Sequence, residues 1–383
     1  MPNPHENLPQ LPPVMRALAG LEPTWPHALD PMSAPAKRWG ILGAGHIAGT
    51  FARDISAYTR QEIVAVASRD LAKSKQFAAD NGVDPAGAYG SYEDLAADPR
   101  VDIVYVATTH NVHLQTALTA IEGGKHVLIE KAFTRTAAEA KQIFDAARAN
   151  GVFAMEAMWT RFLPGQVLSR RLVETGAIGP LVAAEADHGQ SLEHVERLMN
   201  PDFAGGALLD LGVYPISFLY SYLGKPARVL AAGRLTPTNV DAGNVTVLDY
   251  GQALAVARSD LDGRSSTGAS LTGREGCLEF PRQFYRPSSV RLRLFSEGAA
   301  EKARSLVSGE DFELGQVAAS DRKTEGIAWE WDATVPGGFQ YQVAEVARCV
   351  DAGQRESSTT TWQNTLDVME IMDQARTHIG GAY

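Results

Sequence analysis

Two short patterns carry the residues best suited to chemistry. Glu130-Lys131 closes the apolar run His126-Val127-Leu128-Ile129, and an amine leaving a buried strand is costly unless it faces a cleft or a partner. Gly43-Ala44-Gly45-His46-Ile47-Ala48 follows another apolar run, 39–42. In a G-x-G-x-x-A turn between strand and helix, Gly43 supplies a positive φ, Gly45 lets the backbone approach a pyrophosphate, and the small Ala48 lets the helix lie close on the strand. The N–H groups at the helix start, around His46 and Ile47, then take up phosphate charge. A second apolar strand, 62–67, follows at the spacing of a βαβ unit, so the turn predicts a dinucleotide site rather than a glycine-rich structural turn.

The end of that second strand should select the dinucleotide. An acidic residue there accepts hydrogen bonds from the ribose hydroxyls and repels a 2′-phosphate. This sequence has Ser68-Arg69 instead, and a hydroxyl beside a guanidinium binds a phosphate at about 1.5 to 3 kcal/mol per charged hydrogen bond. NADP is therefore expected in preference to NAD. The plainer alternative leaves Arg69 solvated, with Asp70 capping the helix that starts at Leu71.

In a doubly wound sheet the residues just after each strand meet the nicotinamide. Thr108, Thr109, Asn111 and His113 qualify, with Glu130 and Lys131. An oxidised nicotinamide beside Lys131 is expected to lower the pKa of its amine. A second cluster, Gly205-Gly206-Ala207-Leu208-Leu209-Asp210-Leu211-Gly212-Val213-Tyr214, puts Asp210 and Tyr214 four residues apart, on one face if helical. Pro215 argues for a kink or a later helix start. Tyr214 is the proposed base, its phenol expected to be acidified by Lys131 and the nicotinamide. Asp210 would orient the substrate or the lysine. Trp159 and Arg161, with Arg197 a weaker candidate, are the expected substrate-pocket residues; packing is the alternative role. His113 and His188 read as satisfied structural histidines without metal spacing, and no metal is expected.

The elements needed to hold these residues fit 383 residues as two domains. From 38 to 157, β-rich runs (39–42, 63–67, 103–107, 126–129, 152–156) alternate with amphipathic stretches, predicting a Rossmann domain with a parallel sheet. Thr136 with Glu139 predicts a capping box. Beyond 158, a helix at 166–175 leads into strands at 182–186, 228–235, 244–250, 252–260, 267–271 and 276–280. Helices are predicted near 206–222, 340–351 and 362–378. This second part, 158–383, should be an α+β domain with a large open, mostly antiparallel sheet. Residues 1–37 read as a flexible proline-rich arm, nine of the chain's 20 prolines falling in the first 36 residues. A net charge of −10 without basic runs speaks against nucleic acid and anionic membrane. Two distant cysteines imply neither a disulfide framework nor a zinc site, and the cytoplasm is the expected compartment.

The glycine turn, Thr109-His110-Asn111-Val112-His113, Glu130-Lys131 and the Gly-Gly-x-Leu-x-Asp-x-Gly-x-Tyr run together resemble the glucose-fructose oxidoreductase, inositol dehydrogenase and MocA family from about Arg38 to the C-terminus. Tyr214, where many members carry histidine, and the stretch Met155-Glu156-Ala157-Met158-Trp159-Thr160-Arg161-Phe162-Leu163-Pro164 are similar to the dihydrodiol and NADP-dependent D-xylose dehydrogenase branch. The resemblance implies catalytic roles for Lys131 and Asp210, hydride exchange with a sugar or diol, and a homodimer. A trapped-NADP enzyme of the glucose-fructose oxidoreductase kind and a nonenzymatic NADP sensor are the alternatives. The family's proline after the lysine is Ala132 here, so a trans bond and a slightly displaced Lys131 are expected.

Overall fold

The computed structural model describes residues 30–306 and 327–382. Its first part follows the predicted alternation: β1 (Arg38–Leu42), α1 (His46–Tyr58), β2 (Glu62–Ala67), α2 (Leu71–Asn81), β3 (Ala88–Tyr89), α3 (Tyr92–Ala96), β4 (Ile103–Val106), α4 (His113–Glu122), β5 (His126–Glu130), α5 (Ala137–Asn150) and β6 (Ala154–Ala157). The six strands run in the order β3-β2-β1-β4-β5-β6, every pair parallel. Every residue of β4 is buried, which is why its sequence is apolar throughout rather than alternating. Asp70 does cap α2, its carboxylate accepting from Ala72 N at 2.9 Å. Only half of the predicted capping box forms on α5. Thr136 Oγ1 accepts from Glu139 N at 3.2 Å, but the Glu139 carboxylate turns to Arg135, whose backbone N–H and guanidinium both donate to it.

The second part holds α6 (Pro164–Glu174), β7 (Leu181–Gly189), α7 (Val213–Leu223), β8 (Arg228–Leu235), β9 (Asp241–Asp249), β10 (Leu254–Asp260), β11 (Ala269–Gly273), β12 (Gly276–Phe280), β13 (Ser289–Leu294), α8 (Glu297–Leu306), β14 (Ile327–Asp332), α9 (Phe339–Asp351) and α10 (Trp362–Ile379). Its eight strands run β14-β13-β12-β11-β7-β10-β9-β8. Among the described strands of this sheet only β7 and β10 pair in parallel. One face packs on helices, while the other leaves Leu230, Val245, Leu254 and Val256 exposed, Leu254 by 54%. The apolar stretch Pro201–Leu223 has the length and hydropathy of a membrane span, yet 89% of its most apolar window is buried in the fold.

Two ends of the chain close over the junction. The expected flexible arm stops earlier than predicted, because Asp30 to Lys37 is packed: Ala34 is fully buried against α9, and Arg348 of that helix donates to the Asp30 carbonyl at 2.7 Å. Residues 1–29 of that arm lie outside the described residues. Helix α10 returns to the first sheet, where Trp362 Nε1 donates to the Ala154 carbonyl at 2.9 Å and the indole stacks on Phe144 at 5.3 Å. Trp362→Ala removes both contacts and leaves a cavity between the two parts of the chain. A loss of about 3 to 5 kcal/mol in urea unfolding is expected; a change under about 1 kcal/mol would contradict this role for α10.

Candidate functional site

The glycine turn works as its residue types require. Gly43 has φ +105, and a Cβ there would sit 2.6 Å from the Ala107 carbonyl oxygen, so strand and turn meet too closely for any side chain. Gly45 differs: a Cβ built on it meets nothing within 4 Å. It opens a cradle at the start of α1, whose first N–H groups have no side-chain cap, an arrangement ready for phosphate. Ala48 is fully buried and lets α1 lie on the sheet. Gly43, Gly45, His46 and Ile47 form one wall of a cleft of about 580 Å³.

The two ends of this cleft differ in chemistry. At one end stand Ser68, Arg69, Lys73 and Tyr92, two cations and two hydroxyls suited to an esterified ribose. Lys73 was not singled out from the sequence, although its place four residues after Arg69 was a usable signal. At the other end stand Thr108, Thr109, Glu130, Lys131, Arg197 and Asp210. Thr108 Oγ1 is buried there without a hydrogen-bond partner, as expected of a donor or acceptor reserved for a bound group. The cradle, the basic end and this orphaned hydroxyl all fit an elongated phosphorylated dinucleotide.

Lys131 follows the last residue of β5 and crosses to the second part of the chain. Its Nζ donates to the Asp210 carbonyl at 2.9 Å and lies 3.5 Å from Asp210 Oδ1. Arg197 Nη2 meets the same Oδ1 at 3.2 Å. Tyr214 offers its ring 5.0 Å from the Lys131 ammonium. Asp210 sits on a π-helical turn, Leu208–Gly212, that runs directly into α7. This turn resolves the difficulty of Pro215. The proline lies in the first turn of α7, where a missing N–H costs least. Asp241 fixes the turn from below, accepting from Leu208 N at 2.8 Å and from Asn244 Nδ2 at 2.9 Å. Gly206 is obligatory beside it, since a Cβ would fall 2.2 Å from Asp241 Oδ1.

Burial and charge among the protein's own groups set their protonation states. Burial alone would raise the Asp210 carboxyl, but Lys131 and Arg197 hold it well below the usual range. Burial would lower the Lys131 amine, yet Asp210, Tyr214 and Glu130 raise it overall. For Tyr214 burial raises the phenol, and the Lys131 charge offsets only part of that rise. The protein itself therefore holds an ammonium, a carboxylate and a neutral phenol. Glu130, which accepts from the Tyr105 hydroxyl and from Lys131 N at 3.2 Å, is pushed by burial up to about 7.

Other predicted residues separate into those near this centre and those away from it. The Lys131–Ala132 peptide is cis, not trans as expected without proline. Ala132 is fully buried, and its carbonyl and that of Phe133 each lie 3.1 Å from His113 Nδ1. His113 thus ties this loop to the Thr108 carbonyl on its Nε2, 3.0 Å away. Asn111 accepts from Thr109 Oγ1 at 2.7 Å. Trp159 Nε1 points at the Tyr214 hydroxyl, 3.4 Å away. Arg161 is not at the cleft: its guanidinium donates to Ser217 Oγ at 3.0 Å and to the Ser217 carbonyl at 3.2 Å, and it lies over Tyr220. His188, expected to be structural, instead stacks on Tyr285 at 4.6 Å and stands 5.2 Å from the Tyr214 ring. Tyr285 had no sequence signal, because it follows β12 in an irregular segment.

Residues 37–158 match an oxidoreductase family with an NAD-binding Rossmann fold, GFO_IDH_MocA, and residues 168–279 match the GFO/IDH/MocA C-terminal domain. The chain belongs to the GFO/IDH/MocA oxidoreductase family. It is 34% identical over 90% of its length to the NADP-dependent D-xylose 1-dehydrogenase of Hypocrea jecorina, covering 93% of that protein. It is also 34% identical to the trans-1,2-dihydrobenzene-1,2-diol dehydrogenase of Danio rerio, over 91% of this chain and 98% of that one. Among solved structures, the aldose-aldose oxidoreductase of Caulobacter crescentus superposes with a TM-score of 0.76 at 21% identity, covering 90% of this chain and 97% of that one. At that identity the likeness speaks for the shared fold.

Within this family member the support for Asp210 is open to a direct test. Burial pushes the Asp241 carboxyl from its ordinary 3.8 up to about 7. A raised folded pKa means that the stabilising contribution is complete below the unfolded value and is lost as pH rises through the folded one. Asp241→Asn should therefore shrink the fall in unfolding free energy between about pH 5 and about pH 8 by about 2 to 3 kcal/mol. Parallel urea titrations would show it; identical pH dependence in both proteins would contradict it.

Proposed function

We propose that this protein is an NADP-dependent dehydrogenase that exchanges a hydride with a hydroxyl-bearing carbon of an aldose or a trans-dihydrodiol. The observation that carries the reading is the meeting of Lys131 and Asp210 at the end of a cleft whose other end is basic, with the Tyr214 ring 5.0 Å from the Lys131 ammonium. The curated relatives that act on D-xylose with NADP and on trans-dihydrodiols support both the cofactor and the substrate class.

Gly43, Gly45 and the start of α1 hold the pyrophosphate, while Ser68, Arg69 and Lys73 hold the 2′-phosphate. Bound NADP supplies the nicotinamide that accepts or returns the hydride. The phenol of Tyr214 handles the proton of the reacting oxygen. In carbonyl reduction the neutral phenol donates, and the Lys131 ammonium stabilises the phenolate left behind. In alcohol oxidation the phenol must first lose its proton, which burial opposes and Lys131 favours. Asp210 keeps Lys131 charged and fixed, with Arg197 as the second cation on the same carboxylate. Trp159 fixes the phenol oxygen, and His188 and Tyr285 give the substrate space an aromatic wall. The exposed Leu230, Val245, Leu254 and Val256 support face-to-face pairing of two copies into a dimer. Free Cys277 and Cys349 suit a reducing cytoplasm.

Initial rates of nicotinamide reduction with D-xylose, other aldoses and a trans-dihydrodiol test this reading, and turnover with NADP is expected. Silence with every sugar and diol would overturn it. Arg69→Ala should lower kcat/KM for NADP by about tenfold to a hundredfold and leave that for NAD little changed. Oxidation should accelerate as pH rises through neutrality, since the raised phenol pKa leaves little base at lower pH. A flat profile there, or Tyr214→Phe at wild-type rate, would remove the tyrosine from its role.

A further inference from the structure

A second cavity lies beyond the catalytic helix and shares none of its lining with the dinucleotide cleft. It measures about 390 Å³ and is framed by α6, the C-terminal half of α7 and the loop before α10. Arg161 and Arg170 both line it. Arg161 is only 6% exposed, with its hydrogen bonds going to the neutral Ser217. Arg170 donates to the Arg161 carbonyl at 2.6 Å. Among the described residues neither guanidinium has a carboxylate within salt-bridge distance. Glu174, the one carboxylate in the lining, is already held by Arg171 at 3.0 Å.

Buried Glu156 acts on Arg161 and Glu174 acts on Arg170, but among the described residues neither carboxylate is in salt-bridge contact with them, so both guanidinium groups keep N–H donors for a further anion. Ser358 and Thr359 border the cavity from the loop with their hydroxyls, while the Ser221 hydroxyl is spent on the Phe218 carbonyl at 2.7 Å. Planar forked donors beside hydroxyl donors are the chemistry that binds a tetrahedral oxyanion.

We propose that this cavity binds a phosphate group, either inorganic phosphate or the phosphate of a sugar ester, between Arg161 and Arg170. It is an effector-type site, separate from the reacting centre but joined to it. Arg161 belongs to the same short turn as Trp159, and its partner Ser217 lies three residues beyond Tyr214 on α7.

The test is calorimetric titration of the full-length, NADP-saturated protein at constant ionic strength, so that the 2′-phosphate site is already filled. Inorganic phosphate and glucose 6-phosphate are the two probes. Saturable one-to-one binding is expected with at least one of them. Arg170→Gln should weaken it by about tenfold or more, while its NADP affinity stays that of the wild type. Tighter binding of the ester assigns the site to sugar phosphates; equal binding assigns it to inorganic phosphate. If Arg170→Gln does not fold, Thr359→Val should weaken binding by about threefold. No saturable heat from either probe, or unchanged affinity in the folded variants, would overturn the proposal.

Discussion

The buried carboxylate of Asp210 is the constraint around which the site is arranged. It takes the charge of Lys131 from the first part of the chain and of Arg197 from the second. Removing one partner from such a group leaves an uncompensated buried charge, at about 3 to 5 kcal/mol. The geometry of the two sheets is therefore tied together where the reaction is to occur. Without the carboxylate, among the described residues only the Asp210 carbonyl, 2.9 Å from Nζ, would still bond the Lys131 ammonium beside the Tyr214 ring.

Much of the fold serves that contact. β5 delivers Lys131 from the buried run Val127-Leu128-Ile129-Glu130, and the π-helical turn delivers Asp210 at a place where an ordinary helix would meet Pro215. Asp241 and Gly206 fix the turn, while His113 fixes the loop after Lys131. Helix α10, through Trp362, locks the far side of the first sheet to the second part of the chain. The glycine turn then sets one wall of the cleft at a fixed distance from the amine.

The glycine turn, Lys131, Asp210 and Tyr214 were legible because each depends on local residue type: φ above zero, an ion leaving a buried strand, two residues four apart. Arg69 was legible for the same reason. What could not be read were properties created by packing. The raised Tyr214 phenol and the raised Lys131 amine reflect burial and the nearness of Asp210, which lies 79 residues from Lys131. Arg161 shares a motif with Trp159, yet the two, separated by Thr160 in one tight turn, point apart, and Arg161 lies away from the cleft. β13 and β14 were missed although Ser289-Val290-Arg291-Leu292-Arg293-Leu294 and Ile327-Ala328-Trp329-Glu330-Trp331-Asp332 carry the alternation of a half-buried strand, and α8 was missed with them. The cis bond at Ala132 and the contribution of His188 likewise depend on neighbours far along the chain.

Single-turnover hydride transfer in Lys131→Met, measured by nicotinamide absorbance with NADP and substrate saturating, tests the central claim most directly. The account predicts a rate lower by about a hundredfold to ten-thousandfold, with NADP affinity within about threefold of wild type. A rate near that of the wild-type protein would mean that the amine held by Asp210 takes no part in the reaction.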